Sequence, residues 1–217
     1  NARTQYTHLY QHQRPAGTWN SALVQIAETM DELNKLKEQG TIRAIGVSNF
    51  SRAQIAEAAQ YGRIDSLQPP YSLFWRWVEK EAMSYCADNH ISIIAYSSLA
   101  QGILTGKFGP EHKFEEGDHR AKSKLFIKEN DARVQTALTQ LRPIADRHQT
   151  SLGNLALAWL IAQPQTNAIV GARNAEQAAA NAKATEVKSS QEDLKEIDAI
   201  GRTVTDYLDD NPVMWNF

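Results

Sequence analysis

The feature that most constrains the fold is a regular alternation of short apolar runs, rich in Val, Ile and Tyr, with amphipathic helical windows. This alternation is typical of βα units around a parallel sheet. The predicted strands span residues 6–11, 44–47, 66–69, 91–96 and 168–170. The predicted helices span residues 25–39, 52–61, 78–89, 132–148, 152–163 and 191–200, and one more runs through 176–184.

Local signals support several of these boundaries. Ser51 stands at a helix N-cap with Gln54 three residues later, as in a capping box, and Gly40 is placed to end the preceding helix. Residues 101–130 break the rhythm with Gly, Pro and many charges. Long loops of this kind in compact domains are usually functional, so we expect this one to rise from the carboxyl end of its strand.

Composition narrows the class of protein. A chain of 217 residues with 42% apolar and 22% charged residues is typical of a globular protein, and its net charge of -2 comes from mixed signs. Nucleic acid and anionic membranes are therefore not expected as partners. No run approaches the roughly 18 apolar residues that span a bilayer, and no signal segment is visible. We expect one cytoplasmic domain over residues 1–217, without a metal site.

Four segments occur in the order and rough spacing of one known family: GTIRAIGVSNF at 40–50, LQPPYS at 67–72, AYSSLAQGILTGK at 95–107 and IVGAR at 169–173. The sequence thereby resembles the aldo-keto reductases over nearly its whole length. The resemblance implies an α/β fold, a (β/α)8 TIM barrel of which roughly the last five βα units are present. It also implies that the family's catalytic Asp, Tyr and Lys lie ahead of Asn1.

The function implied by this resemblance is NADPH-dependent reduction of an aldehyde or ketone to an alcohol by hydride transfer, with NADP(H) as cofactor and a small carbonyl compound as substrate. The alternative is an NADPH-binding regulatory or redox-sensing protein, similar to the potassium channel β subunits, with little turnover. Neither the particular carbonyl substrate nor the oligomeric state follows from the sequence.

Three polar residues follow the second and third predicted strands. Ser48 and Asn49 come directly after one strand, and Gln68 ends the next. On residue type alone, the simplest interpretation is that Ser48 and Asn49 cap the following helix and that Gln68 begins a loop. The resemblance implies that all three hold the nicotinamide carboxamide. The Gln68 amide offers both a hydrogen-bond donor and an acceptor, which is what a carboxamide requires. The resemblance also implies that Tyr96, otherwise a core tyrosine, stacks on the nicotinamide ring.

The resemblance assigns the rest of the dinucleotide to two later segments. Ser98 replaces a proline that relatives often carry, which we expect to loosen its turn. The turn at Gly171 opens a helix whose N-terminal N–H groups suit a phosphate. On one face of that helix, the resemblance assigns Arg173 and Gln177 to the 2'-phosphate and Asn181 to adenine; the alternative is a solvated arginine with polar neighbours. The residues matching the pyrophosphate-lining positions are Ser97, Leu99, Gln101 and Gly102.

The first strand departs from the family pattern. Relatives read roughly Y-I-D-L-Y-Q-I-H-W-P, in which the histidine polarises the substrate carbonyl, whereas residues 6–15 here read YTHLYQHQRP. An ungapped alignment puts Gln13 at the histidine position and His12 one residue earlier. Because a one-residue shift turns a strand side chain to the opposite face, either His12 reaches the substrate through a bulge or Gln13 takes its place. The alignment favours Gln13, and potassium channel β subunits carry Asn-Arg-Pro here.

Overall fold

The structure is a computed structural model that describes residues 5–15 and 24–209. It is α/β, with five strands in one sheet in the order β1-β2-β3-β4-β5. The strands are β1 (Thr7–His12), β2 (Ile42–Ser48), β3 (Ser66–Gln68), β4 (Ser92–Ala95) and β5 (Thr166–Ala168). The helices are α1 (Ile26–Glu38), α2 (Arg52–Ala58), α3 (Trp77–Glu81), α4 (Met83–Asp88), α5 (Lys128–Arg147), α6 (Leu152–Ile161), α7 (Ala175–Ala182) and α8 (Gln191–Thr205).

The first of two compact units lies within Asn1–Pro69 and Val78–Ile94. Its strands pair in parallel, with His12 opposite Val47, Ser48 opposite Gln68 and Leu67 opposite Ile93. One face of these strands packs against the helices and forms the apolar core. The core residues include Met30, Leu33, Ile45, Val47, Ile55, Leu67 and Cys86, each at most 5% exposed. Burial raises the pKa of the Cys86 thiol to about 11, as is typical of an unreactive core cysteine.

The predicted helix signals of the first unit are present. Ser51 accepts a hydrogen bond from the Gln54 N–H while the Gln54 side chain accepts from the Ser51 N–H, which completes the capping box of α2. Gly40 has a φ of +74°, and the next residue, Thr41, donates its N–H to the Leu36 carbonyl at 3.0 Å. That bond is the Schellman pattern with which glycine ends a helix.

The second unit lies within Pro70–Trp77 and Ala95–Phe217, and its core is helical. α6 is buried along nearly its whole length, and the ring of its Trp159 meets that of Tyr71 edge to face at 5.9 Å. α8 approaches the segment 70–77 closely at Gly201, where an added Cβ would lie 2.6 Å from Leu73. The Arg76 guanidinium lies 4.8 Å from the Trp159 ring centroid.

Part of the segment 101–130 is ordered by its own aromatic cluster. The rings of Phe108, Phe114 and Phe126 have centroids 4.5 to 5.6 Å apart. The Arg120 guanidinium lies 5.3 Å and 5.2 Å from the first two of these rings. Arg120 also pairs with Asp118, and this hydrogen bonding lowers the pKa of the Asp118 carboxyl to about 2.

Several predicted boundaries differ from the structure. The predicted loop 101–130 overlaps three short 3-10 helices, at Ala100–Thr105, His119–Lys122 and Lys124–Phe126, and α5 begins within it at Lys128. The predicted helix 78–89 is divided at Ala82, whose φ of -124° leaves the helical range. The strand predicted at 168–170 is Thr166–Ala168, and the helix predicted to reach residue 61 ends at Ala58. No helix among the described residues has the length and apolar character that crossing a membrane requires.

We expect the Arg76→Ala variant of the intact protein to lose about 2 kcal/mol of unfolding free energy, because it removes a buried guanidinium together with its charge-assisted hydrogen bond to Asp198 and its contact with the Trp159 ring. Arg76 is 6% exposed and donates to Asp198 Oδ1 at 2.5 Å. The control is Arg202→Ala, since Arg202 donates to the same carboxylate but is 49% exposed and should contribute less than about 1 kcal/mol. Denaturant unfolding measures both, and equal losses would contradict this account.

Candidate functional site

The ends of β2 and β3 place three predicted residues of the first unit together. Ser48 is buried, and its hydroxyl donates to the Gln68 carbonyl at 2.7 Å. Asn49 has a left-handed φ of 59°, which asparagine tolerates better than most residues, and donates its N–H to the same carbonyl at 3.3 Å. The Gln68 side-chain amide makes no hydrogen bond within the part of the chain that the structure describes. Ser48 therefore fixes the corner, and Gln68 has an amide available for a ligand.

His12 and Gln13 occupy different environments. The pairing of β1 with β2 is continuous from Leu9 to His12 and contains no bulge there. The His12 ring lies 5.8 Å from the Phe50 ring and lines a small apolar cavity with Met30 and Leu33 of α1. Burial lowers its pKa, while a hydrogen bond with the Arg14 backbone has a smaller, opposite effect. His12 is thus directed toward the helices.

The opposite face of β1 is polar. The Gln11 side chain donates to the Val47 carbonyl and accepts from the Ser66 hydroxyl at 2.9 Å. Gly46 leaves the room for it, since a Cβ at that position would lie 2.3 Å from Gln11 Oε1. Gln13 follows the end of the strand, is exposed, and accepts a hydrogen bond from the Asn49 amide at 3.3 Å through its carbonyl. Gln13 therefore lies at the same end of the strands as Asn49.

The second unit contains a cleft of about 700 Å³ between the segments that follow β4 and β5. It brings together eight residues predicted to bind the dinucleotide: Ser97, Leu99, Gln101, Gly102, Gly171, Arg173, Gln177 and Asn181. Tyr96 does not line this cleft; it is half-buried, and its carbonyl accepts a hydrogen bond from the Tyr71 N–H at 3.0 Å. The remaining lining residues, including Lys107 and Arg120, were not predicted.

Charge is the clearest property of this cleft. Three cations, Lys107, Arg120 and Arg173, line it, and its lining contains no Asp or Glu. Because Arg120 is already paired with Asp118, Lys107 and Arg173 supply the charge that is left for a ligand. Lys107 ends the AYSSLAQGILTGK segment at 95–107, so the sequence could have identified it as a cleft residue. Arg120 was missed because its segment shows no periodicity, and it reaches the cleft through the aromatic cluster. A cleft lined by cations without carboxylates attracts an anionic ligand.

The wall after β4 has an unusual backbone. Ser97, Ala100 and Gln101 have φ values of 53°, 48° and 57°, in the left-handed region that non-glycine residues rarely adopt. Conformations of this kind cost energy and cluster at ligand sites. The side-chain oxygen of Gln101 is buried and has no hydrogen-bond partner among the described residues. A buried acceptor without a donor is unfavourable, so a ligand hydroxyl placed there would satisfy it.

The wall after β5 begins α7 and presents its N-terminus to the cleft. Asn174 caps the helix by accepting from the Gln177 N–H, and the Gln177 side chain accepts from the Arg173 N–H, both at 2.9 Å. Asn181 donates to the Gly171 carbonyl at 3.2 Å. The Arg173 guanidinium is exposed and forms no ion pair with any residue that the structure describes. This wall offers a free cation beside a helix N-terminus, which suits a phosphate.

Comparison with known proteins agrees with this architecture. The model of the Aldo/keto reductase family matches residues 1–202. The chain belongs to this family. Its predicted fold class is confirmed, because solved aldo-keto reductases share the fold, and the chain supplies five parallel strands of the family's TIM barrel.

Individual relatives extend beyond this chain. The chain is 37% identical to aldo-keto reductase YhdN from Bacillus subtilis, over 91% of this chain and 59% of that protein. It is 39% identical to the NADH-specific methylglyoxal reductase from Escherichia coli, over 77% and 51%. The glycerol dehydrogenase AKR11B4 from Gluconobacter oxydans has a similar structure, with a TM-score of 0.87 and 30% identity, over 95% and 62%. The chain therefore spans between half and two thirds of the length of these relatives.

In the wild type, we expect the unfolding free energy to decrease as the pH falls below about 6.5, and His12→Phe should abolish the part of this decrease that is due to His12. The unfolded chain has a histidine pKa near about 6.5, whereas burial lowers the pKa of native His12. As the pH falls below about 6.5, the unfolded state binds a proton that the native state resists, so the unfolding free energy decreases until the native pKa is reached. Urea unfolding between about pH 8 and pH 5 measures this slope.

The matched control is His8→Phe, because His8 lies on the same strand and is exposed. This variant should keep the pH dependence of the wild type. If His12→Phe also keeps it, His12 is not the buried histidine responsible and its position beside Phe50 is wrong.

Proposed function

We propose that this chain is the dinucleotide-binding part of an oxidoreductase that reduces a small aldehyde or ketone with NADPH. The proposal rests on the cleft of the second unit, which is lined by Lys107 and Arg173, by Arg120 already paired with Asp118, and by no carboxylate. NADPH carries a pyrophosphate and a 2'-phosphate, so it matches this charge. The buried, unpartnered Gln101 oxygen is the second support, because the ribose hydroxyls of a dinucleotide are donors.

The phosphate groups are assigned to the two walls of the cleft. The left-handed segment 97–102, with Lys107 and Arg120 nearby, would hold the pyrophosphate. Arg173 would bind the 2'-phosphate, since a guanidinium makes bidentate bonds to phosphate and no carboxylate competes for it. Gln177 and Asn181, one and two turns further on, would contact the same phosphate and the adenine. The exposed Arg173 guanidinium is the feature that favours NADPH over NADH.

Residues at the ends of the earlier strands would hold the nicotinamide. Asn49 and Gln68 carry amides that can bond the carboxamide, while Ser48 fixes the corner from which both project. Tyr96 would stack on the ring through its aromatic face. The bound cofactor supplies the hydride, and these side chains orient the ring that carries it.

Gln13 is our assignment for the group at the substrate carbonyl. It lies at the end of β1 beside Asn49, whereas His12 is directed toward α1 and Phe50. A glutamine amide can donate a hydrogen bond to the carbonyl oxygen but cannot become cationic. We therefore expect slower turnover than a histidine would give, with a tyrosine of the intact protein as general acid, as the family resemblance implies.

The placement of Gln13, and not His12, at the end of β1 also supports a second candidate function. A weak electrophile at the carbonyl is what an NADPH-binding regulatory or redox-sensing protein requires, because its cofactor must stay reduced until a signal arrives. Under that function the phosphate cleft would serve to hold the cofactor tightly. The two functions differ in turnover and share the cofactor.

We expect Arg173→Ala in the intact protein to raise the NADPH dissociation constant by one to two orders of magnitude and leave that of NADH nearly unchanged. Losing a charge-assisted bond to phosphate costs about 1.5 to 3 kcal/mol, and NADH has no 2'-phosphate. Fluorescence titration with both dinucleotides measures this. Lys195→Ala removes an exposed positive charge elsewhere in the same unit and should change neither constant. Equal weakening for both cofactors in Arg173→Ala would refute the assignment.

Gln13→His should raise kcat/KM for a reactive aldehyde, because an imidazolium polarises a carbonyl more strongly than an amide does. Gln13→Ala should lower kcat/KM by about tenfold or more, and His12→Ala should chiefly lower stability. Steady-state kinetics and urea unfolding on the same three variants separate these effects. If His12→Ala lowers kcat/KM about a hundredfold and Gln13→Ala keeps full activity, His12 and not Gln13 is the group that contacts the substrate carbonyl.

A further inference from the structure

Ser98 makes a buried hydrogen bond that joins the two walls of the dinucleotide cleft. It is 2% exposed, and its hydroxyl donates to the Ile169 carbonyl at 2.6 Å. The Ile169 N–H donates to the Ala95 carbonyl at 2.8 Å. The peptide groups on both sides of Ile169 are therefore held by the segment that leaves β4. Serine at this position is expected to loosen the turn, and the structure shows that its hydroxyl also adds a tertiary hydrogen bond that proline cannot make.

We propose that Ser98 is a positioning residue of the dinucleotide site, an inference that rests on the proposed function. Only three residues lie between Ile169 and Arg173, so the bond at Ile169 limits where the Arg173 cation and the N-terminus of α7 lie. On the other wall, Ser98 and its neighbours Ser97 and Leu99 line the proposed pyrophosphate end of the cleft. One hydroxyl thus sets the spacing between the pyrophosphate and 2'-phosphate groups of the site.

This role differs from that of Arg173 in a measurable way. Arg173 would contact only the 2'-phosphate and so would distinguish NADPH from NADH. Ser98 acts through the spacing of both walls, and both dinucleotides carry the pyrophosphate and adenosine that span them. Loss of the Ser98 hydroxyl should therefore weaken both cofactors by the same factor and leave their ratio unchanged.

The test is fluorescence titration of the intact protein with NADPH and with NADH. Ser98→Ala should raise both dissociation constants about five- to tenfold, the usual scale for one buried hydrogen bond. Ser98→Thr keeps the hydroxyl and should restore binding. Ser98→Cys replaces the hydroxyl by a slightly larger thiol that donates weakly, so it should fall between wild type and alanine and also serves if the alanine variant does not fold.

The control for general destabilisation is Ser190→Ala, which removes the capping box of α8 in the same unit. It should lower the unfolding free energy without changing either dissociation constant. A readout without cofactor is amide hydrogen exchange, which should become faster in segment 170–173 of Ser98→Ala and remain unchanged there in Ser190→Ala.

The outcomes separate the inference from the proposed function. If the wild type binds both dinucleotides and Ser98→Ala binds them equally well, the positioning role of Ser98 is wrong and the proposed function stands. The role is also wrong if Ser190→Ala weakens binding as much as Ser98→Ala does. If the wild type binds neither dinucleotide, the proposed function fails and the inference fails with it.

Discussion

The arrangement of polar groups in the first unit depends on the register between β1 and β2. Gln11 lies opposite Gly46 and His12 opposite Val47, and side chains alternate between the two faces of a strand. A shift of one residue would exchange every side chain between the helix-covered face and the polar face. Two contacts favour this register. Gly46 lacks the Cβ that would collide with the Gln11 side chain, and Gln11 accepts a hydrogen bond from the Ser66 hydroxyl of β3.

The cleft of the second unit, our proposed dinucleotide site, depends on charge and backbone geometry. Its cations come from three separate segments, and the chain brings them to one lining that lacks carboxylates. The Gln177 and Asn181 side chains already bond to the backbone of the segment that leads into α7. These hydrogen bonds hold the wall after β5 in place before a ligand binds. A bound dinucleotide would have to contact Gln177 and Asn181 alongside them. Preformed geometry of this kind reduces the entropy lost on binding.

The sequence predicts what local rules control. Parallel strand order, the capping box at Ser51 and the helix end at Gly40 follow from residue spacing and are present in the structure. The predicted cleft residues after β4 and β5 also come together, since both segments leave the carboxyl ends of strands. Their binding roles, like those of His12 and Gln13, stay predictions.

What the sequence does not predict depends on tertiary contacts. Arg120 reaches the cleft through contacts with Phe108 and Phe114, which no local periodicity reveals. The Ser98 hydroxyl finds its acceptor 71 residues later in the chain, a tertiary contact that the replacement of a proline does not reveal. Ala82 leaves helical geometry although its sequence context favours one continuous helix.

The proposed function requires that the intact protein bind NADPH and pass its hydride to a carbonyl. The most direct measurement is a single turnover in which protein-bound NADPH is mixed with a reactive aldehyde and its absorbance is followed. The account predicts complete oxidation of the bound cofactor in one kinetic phase, with one alcohol formed for each NADPH. Tight binding of NADPH with no oxidation by any reactive aldehyde would contradict the reductase and leave a cofactor-binding regulatory protein.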